Sequence, residues 1–320
     1  MKKTIIYVVI STLMFSSMEI ALKVAGGATF NPIQLNLIRF FIGALVLFPI
    51  ASKTLKKQQR KIEKKDWMLF LITGFLCVIV SMSLFQLAVV ATKASTVAVL
   101  FSCNPVFALI FAFVILHERL GRANLIAVTI SIIGLIVIVD PFHLSRPFGI
   151  ILALLSAVTF GFYSIISRYG STQRGLSGIV MTCYTFIAGT LELLVLAWIT
   201  HIPAVASYLS RIPALASFSK IPVLQNITLA SVPMLLYLGI CVTGGGFAFY
   251  FLAMENSDVS TASLVFFIKP GLAPIMAAVL IGEHITLLTI IGIIIILIGS
   301  VVTFVGNRVK EDNTVVPKDN

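Results

Sequence analysis

Residues 95–118 read STVAVLFSCNPVFALIFAFVILHE, and residues 260–283 read STASLVFFIKPGLAPIMAAVLIGE. At a constant offset of 165, Ser95-Thr96 falls on Ser260-Thr261, Phe101 on Phe266, Pro105 on Pro270, Ala108 on Ala273 and Glu118 on Glu283. The register extends outward without a gap over residues 69–140 and 234–305, so that Gly74 meets Gly239, Leu87-Ala88 meets Leu252-Ala253 and Gly134 meets Gly299. A weaker match sets Phe15 and Lys23 on Phe160 and Arg168. Apolar stretches align with one another easily, but matched Pro, Glu, Gly and Ser-Thr in one register mark an internal repeat.

The repeat lies in a chain of 320 residues that is 59% apolar and 11% charged, with mean hydropathy +1.08. A soluble globule carries about 25% charged residues, so this is a membrane protein. Cutting at Pro, Gly and charge clusters leaves ten apolar runs, at about residues 4–24, 32–50, 67–90, 94–116, 123–140, 148–168, 178–200, 231–254, 258–281 and 287–306. Each approaches the ~20 residues that cross the hydrocarbon layer. Five spans fall in each copy, and an odd number reverses the sense in which the second copy crosses. The expected fold is therefore an all-α integral membrane protein of ten transmembrane helices in two inverted five-helix repeats, residues 1–140 and 148–306, followed by a polar cytoplasmic tail, 307–320.

The first run, after Met1-Lys2-Lys3, is read as a retained span because no small-residue cleavage site follows it. Placing the N-terminus inside puts sixteen of the 23 Lys and Arg on the cytoplasmic side and five on or near the other, with Arg39 and Lys269 within spans. That bias predicts both termini in the cytoplasm, and the chain is expected in the plasma (inner) membrane. The net charge of +11 is thus a topology signal, and no nucleic-acid partner is expected. Cys77, Cys103, Cys183 and Cys241 sit inside apolar runs without metal-ligand or paired spacing and read as small core residues. The connection 201–230, with Ile-Pro at 202–203, 212–213 and 221–222, is expected to hold short helices on the outer surface.

Charges inside spans mark candidate sites, because each costs at least about 2.5–3.5 kcal/mol to insert. Lys269 sits mid-span before Pro270, which removes a backbone donor and frees the Phe266 carbonyl. Two readings stay open for it: a counter-charge for a carboxylate or phosphate, or a lysine satisfied by an internal acid such as Glu19. Glu19 in turn is either a local partner of Lys23 at i+4, or a carboxylate that meets an ammonium group or carries a coupling proton. Arg39 and Glu192 read as a structural ion pair or as separate snorkelling charges. Glu118 and Glu283 read as capping or connection residues. Ser83, Gln86, Ser102, Asn104, Tyr163 and Tyr250 are further candidates to line a cavity. Pro105, Pro270 and the Gly244-Gly245-Gly246 run are the candidate hinges.

Enzyme signals are weak. Gly175-Leu176-Ser177-Gly178 spells an intramembrane serine-protease motif, but His117, His143, His201 and His284 all fall in connections and supply no base at membrane depth. No P-loop, dinucleotide fingerprint or paired intramembrane aspartates occur. Neither an enzyme activity, a cofactor nor a metal is expected.

Taken together, Phe15-Ser16-Ser17 through Lys23, Pro32 through Arg39-Phe40, Asn104-Pro105 through Glu118 and Lys269-Pro270 through Glu283 resemble the drug/metabolite transporter superfamily, specifically its EamA-type ten-helix carriers. The resemblance implies a basket of ten helices, a central cavity formed by spans 1, 3, 4, 6, 8 and 9, and alternating access without ATP. Charged Glu19 and Lys269 depart from the commoner apolar or small polar residues and point away from a purely hydrophobic drug. The resulting expectation is an exporter of a small polar metabolite, an amino acid or related carboxylated solute, with protons as a coupling partner, the lipid bilayer around it and a monomeric or homodimeric state. An organic-anion or phosphorylated-metabolite exchanger and a multidrug exporter are the alternatives within transport. A lipid flippase or a non-transporting membrane subunit is the alternative outside it.

Overall fold

A computed structural model describes residues 2–117, 121–139, 146–255 and 259–314. Among these residues every regular element is a helix. Eight helices are long and apolar enough to cross a membrane, and two shorter apolar segments, Leu125–Val139 and Leu287–Val302, stand where the fifth and tenth spans are expected. In chain order these are α1 (Lys2–Ala28), α2 (Pro32–Lys57), α3 (Lys64–Ala91), α4 (Ala94–Leu116), α5 (Arg122–Val139), α6 (Pro147–Arg174), α7 (Gly178–Ile199), α8 (Val232–Met254), α9 (Val259–Ile281) and α10 (Leu287–Thr314).

Local signals explain most of the boundaries. Asn31 starts α2, its Oδ1 accepting from Ile33 N at 2.8 Å and Gln34 N at 3.3 Å, with Pro32 at the first helical position. The helix runs on through Pro49 to Lys57, longer than the apolar run alone suggested, because the chain beyond the proline carries lysines that can reach water. Both α3 and α8 contain a π-helical segment, Phe75–Ser81 and Tyr237–Gly245, and the two overlap under the same shift of 165. Such segments widen a helix by part of a turn and re-aim its side chains.

The proline positions that match in sequence differ in shape. Before Pro105, α4 is interrupted by a turn at Ser102–Cys103, whereas α9 stays helical through Pro270 and Pro274. Removing one N–H is tolerated in a span whose neighbours pack around it.

Packing pairs equivalent helices. α1 packs on α8 and α9, as α6 packs on α3 and α4; α2 packs on α8, as α7 packs on α3; α4 faces α9, α2 faces α7 and α5 faces α10. The α5–α10 seam is reciprocal residue by residue. A Cβ on Gly134 would meet Gly292, Ile295 and Ile296, and one on Gly299 would meet Ala127, Ile130 and Ser131, which are those same positions less 165. Gly74 and Gly189 likewise let α3 and α7 touch through backbone. Three of the four cysteines are buried and all four are free thiols.

The connection after α7 forms a short helix, Pro203–Arg211, and a 3₁₀ turn, Pro213–Phe218, largely exposed as expected. It is tied down rather than loose. Asn31 Nδ2 donates to Ser217 O at 2.9 Å, Gln34 Nε2 donates to Gln225 O at 2.6 Å, and Ile221 is fully buried.

Candidate functional site

The buried charges converge on the middle of the bundle. On α1, Phe15, Met18, Glu19 and Leu22 follow the i, i+3, i+4, i+7 spacing that makes one helical face. Glu19 on that face lies 2.7 Å from Lys269 Nζ of α9 through its Oε1, with the two side chains 1% and 5% exposed. The Lys269 ammonium also sits 5.5 Å from the Phe101 ring centroid on α4. The sequence left open whether these two charges meet; the structure shows that they do.

Lys269 forms part of the wall of a small cavity of about 40 Å³. Seven phenylalanines make up half of the lining residues, Phe15, Phe40, Phe101, Phe160, Phe186, Phe247 and Phe266, contributed by α1, α2, α4, α6, α7, α8 and α9. Phe15 packs edge-on against Phe247 at 5.0 Å and stacks on Phe266 at 5.9 Å. The π segments reach the same cavity, through Cys77 on α3 and Val242 and Thr243 on α8.

Arg39 is the residue that sequence reasoning misplaced. It is 2% exposed, faces the same cavity and makes no pair with Glu192. Its Nε and Nη2 donate to Asn36 Oδ1 at 3.2 and 3.0 Å, its Nη1 approaches Met18 Sδ at 3.5 Å, and its Cζ lies 4.4 Å from the Phe40 ring centroid. Glu192 is half-buried elsewhere on α7, with its Oε2 unpartnered. The available signal was Asn36, an acceptor three residues before Arg39 on the same face, which a snorkelling arginine would not need.

The remaining candidates divide by position. Phe266 lines the cavity, and Tyr250 packs on its edge at 5.1 Å. Tyr163 is buried one layer back, 5.2 Å from Phe160. Ser102 Oγ and Asn104 Nδ2 donate to carbonyls of their own helix, Ala98 O and Phe101 O, and Ser83 Oγ donates to Val78 O. Gln86 is buried on α3 with both amide atoms unpartnered, beside Gly26 of α1. Gly244, Gly245 and Gly246 are close-approach positions, where any Cβ would press on Val46, the Ile240 carbonyl or the Phe15 ring.

Lys23 does not pair with Glu19. Its Nζ donates to Val89 O at 2.9 Å and Val90 O at 3.2 Å and also to Thr92 O, so it caps the exposed carbonyls at the end of α3. The start of α4 is held from the opposite copy. Glu283 Oε1 accepts from Ala94 N at 2.8 Å, and its Oε2 accepts from Ser95 N at 3.0 Å and Ser95 Oγ at 2.7 Å. Lys93 Nζ donates to His284 O at 2.8 Å beside it. This ties the α3–α4 corner to the α9–α10 corner on one face of the bundle. Its sequence counterpart, Glu118, lies outside the described residues. No group of three or more His, Cys, Asp or Glu suited to a metal occurs among the described residues.

Comparison with known proteins matches residues 2–140 and 147–305 to one family model, the EamA-like transporter family. An uncharacterized transporter of Clostridium kluyveri is 34% identical over 320 residues, 98% of this chain and 96% of that protein. A protein of Streptantibioticus cattleyicolor named as a probable terminal-alkyne amino-acid exporter is 26% identical over 227 residues, 68% of this chain and 67% of its own length. A solved crystal structure superposes with a TM-score of 0.60 at 16% identity, covering 94% of this chain and 96% of its own, which shows a shared fold. With both halves of the chain matched and a relative alike over nearly its full length, this multi-pass membrane protein belongs to the EamA-like transporter family of the drug/metabolite transporter superfamily.

Proposed function

We propose that this chain is a secondary active transporter that exports a small carboxylated solute, an amino acid in the first instance, by alternating access. The observation that carries the reading is the Glu19–Lys269 pair, buried beside a small, aromatic-lined cavity. Breaking such a pair alone would leave an uncompensated charge in a low-dielectric interior. A zwitterion avoids that penalty, since its ammonium group replaces Lys269 at Glu19 while its carboxylate replaces Glu19 at Lys269. The solute thus supplies the differential contact that a conformational change requires. The relative named as an amino-acid exporter supports the same solute class.

The architecture proposed is ten spans in two inverted five-helix repeats. The reciprocal Gly134 and Gly299 contacts support it, as do the exchange of packing partners between equivalent helices and the π segments that overlap at one offset. Solute is moved without a chemical step, ATP or a cofactor, and Glu19 is the site at which a proton couples. Both termini are assigned to the cytoplasm on the distribution of Lys and Arg, and the plasma membrane is the membrane proposed. The decisive experiment is amino-acid flux in proteoliposomes of the purified chain, with Lys269→Ala and Glu19→Gln. Both variants are expected to lose transport while remaining folded; unchanged flux in both would overturn the reading.

A further inference from the structure

We infer that Arg39 is a third substrate-contacting charge, and that the preferred solute is an amino acid with an acidic side chain. The inference rests on the amino-acid reading above and specifies its substrate class. It starts from the charges around the cavity. Arg39 and Lys269 both line it and Glu19 pairs with Lys269, so two cations share one carboxylate. Among the described residues Arg39 has no carboxylate at ion-pairing distance, and the cavity-lining group beside it on α3 is the thiol of Cys77.

An arginine retained only for helix packing would be expected to have its charge compensated, because a lone buried cation is costly. Arg39 feels the Glu19 carboxylate only through space, at no bonding distance, and every group in direct contact with it is neutral. Asn36 holds two of its N–H groups and Met18 sulfur faces a third. A guanidinium carries five donors, so one N–H remains on each terminal nitrogen. That is the fork geometry with which arginine grips a carboxylate through two parallel bonds.

The fork is also held in place. Asn36 Nδ2 donates to Val78 O at 2.8 Å and to Ser83 Oγ at 3.3 Å, which fixes the amide so that its oxygen turns toward Arg39. Phe40 supports the guanidinium face at 4.4 Å. Asn36 is therefore a positioning residue. Its anchor, Val78 O, lies in the π segment of α3, so the widened turn that contributes Cys77 to the cavity also orients the arginine.

The complement of one carboxylate and two cations is one ammonium and two carboxylates. In this arrangement Glu19 takes the solute's ammonium group, Lys269 its α-carboxylate and Arg39 its side-chain acid, and every buried charge in the occluded state has a partner. A neutral amino acid would leave Arg39 unpaired. A dicarboxylate without an amine would satisfy the two cations and leave Glu19 without its lysine.

The test is uptake by proteoliposomes of the full chain with glutamate, aspartate, serine, leucine and succinate as probes, repeated with Arg39→Gln and Arg39→Lys. Wild type is expected to favour glutamate or aspartate over serine and leucine by about tenfold or more, the scale of one charge-assisted hydrogen-bonded contact. Arg39→Gln should bring that ratio to about one, and Arg39→Lys should recover part of it. Should Arg39→Gln fail to fold, the wild-type ratio together with Arg39→Lys decides the matter. Transport of serine and leucine on a par with glutamate would overturn this inference and leave the amino-acid reading standing. An acidic preference that survives intact in folded Arg39→Gln would overturn it equally. Absence of flux with all four amino acids, or succinate transport indifferent to Glu19→Gln, would overturn the amino-acid reading itself.

Discussion

Asn104-Pro105 and Lys269-Pro270 occupy the same place in the two EamA-like halves, and they are used in opposite ways. Asn104 turns back on its own helix, donating to Phe101 O at 2.8 Å next to the break at Ser102–Cys103. Lys269 reaches out of an unbroken helix to a carboxylate on α1, 2.7 Å away. One copy used its polar residue to finish a local break in the backbone; the other placed a charge in the cavity. The features that build the fold, the glycine seams and π segments, are present in both halves, while the charges around the cavity are not duplicated.

Substitution at the two prolines' neighbours breaks this contrast most sharply. Lys269→Ala strands the Glu19 carboxylate and is expected to cost about 3–5 kcal/mol in unfolding measured in detergent, together with the loss of flux. Adding Glu19→Gln to Lys269→Met should restore most of that stability and none of the transport, since a neutral pair packs but offers a zwitterion nothing.

The shared features should respond alike. In Gly134→Ala the new methyl meets the Gly292 carbonyl at 3.0 Å, and in Gly299→Ala it meets the Ala127 carbonyl at 3.1 Å. Each is expected to lose about 1–3 kcal/mol, and the two losses should be nearly equal. Unequal losses would show that the halves differ in their packing as well as in their chemistry.

Smaller effects follow at the corner and at the break. Glu283→Ala removes three bonds to the start of α4 and should cost about 0.5–2 kcal/mol in the same unfolding assay, as loss of a helix cap does. Asn104→Ala should cost about 1 kcal/mol, one buried hydrogen bond, with flux close to wild type. A severe flux defect in Asn104→Ala would show that the first half contributes chemistry to the cavity after all.

Much of this was legible in the sequence because it depends on periodicity and punctuation. Apolar runs, the offset of 165 and the mid-span position of Lys269 need no tertiary information. Contacts that depend on helix rotation were not legible. Arg39 was read as snorkelling or paired with Glu192, yet α2 turns it inward onto Asn36 and the cavity. Glu19 and Lys23 share a face by spacing, but α1 crosses the end of α3, whose open carbonyls hold the lysine more closely than a carboxylate one turn away could. The π segments cannot be read from spacing either, because a widened turn leaves no mark in an apolar run.

The seam between α5 and α10 has a mechanical consequence. Two bodies that rock about one another need a line along which they do not slide, and close backbone contact supplies it, since there is no side chain to flex between the surfaces. Gly134 and Gly299 place that line on α5 and α10, helices with no described residue in the wall of the central cavity. The fulcrum and the load are thus on different helices. In the alternating-access reading proposed above, a small rotation at the glycines would become a larger displacement at Arg39, Glu19 and Lys269, and substitution at the seam would change the motion without touching a residue of the proposed site.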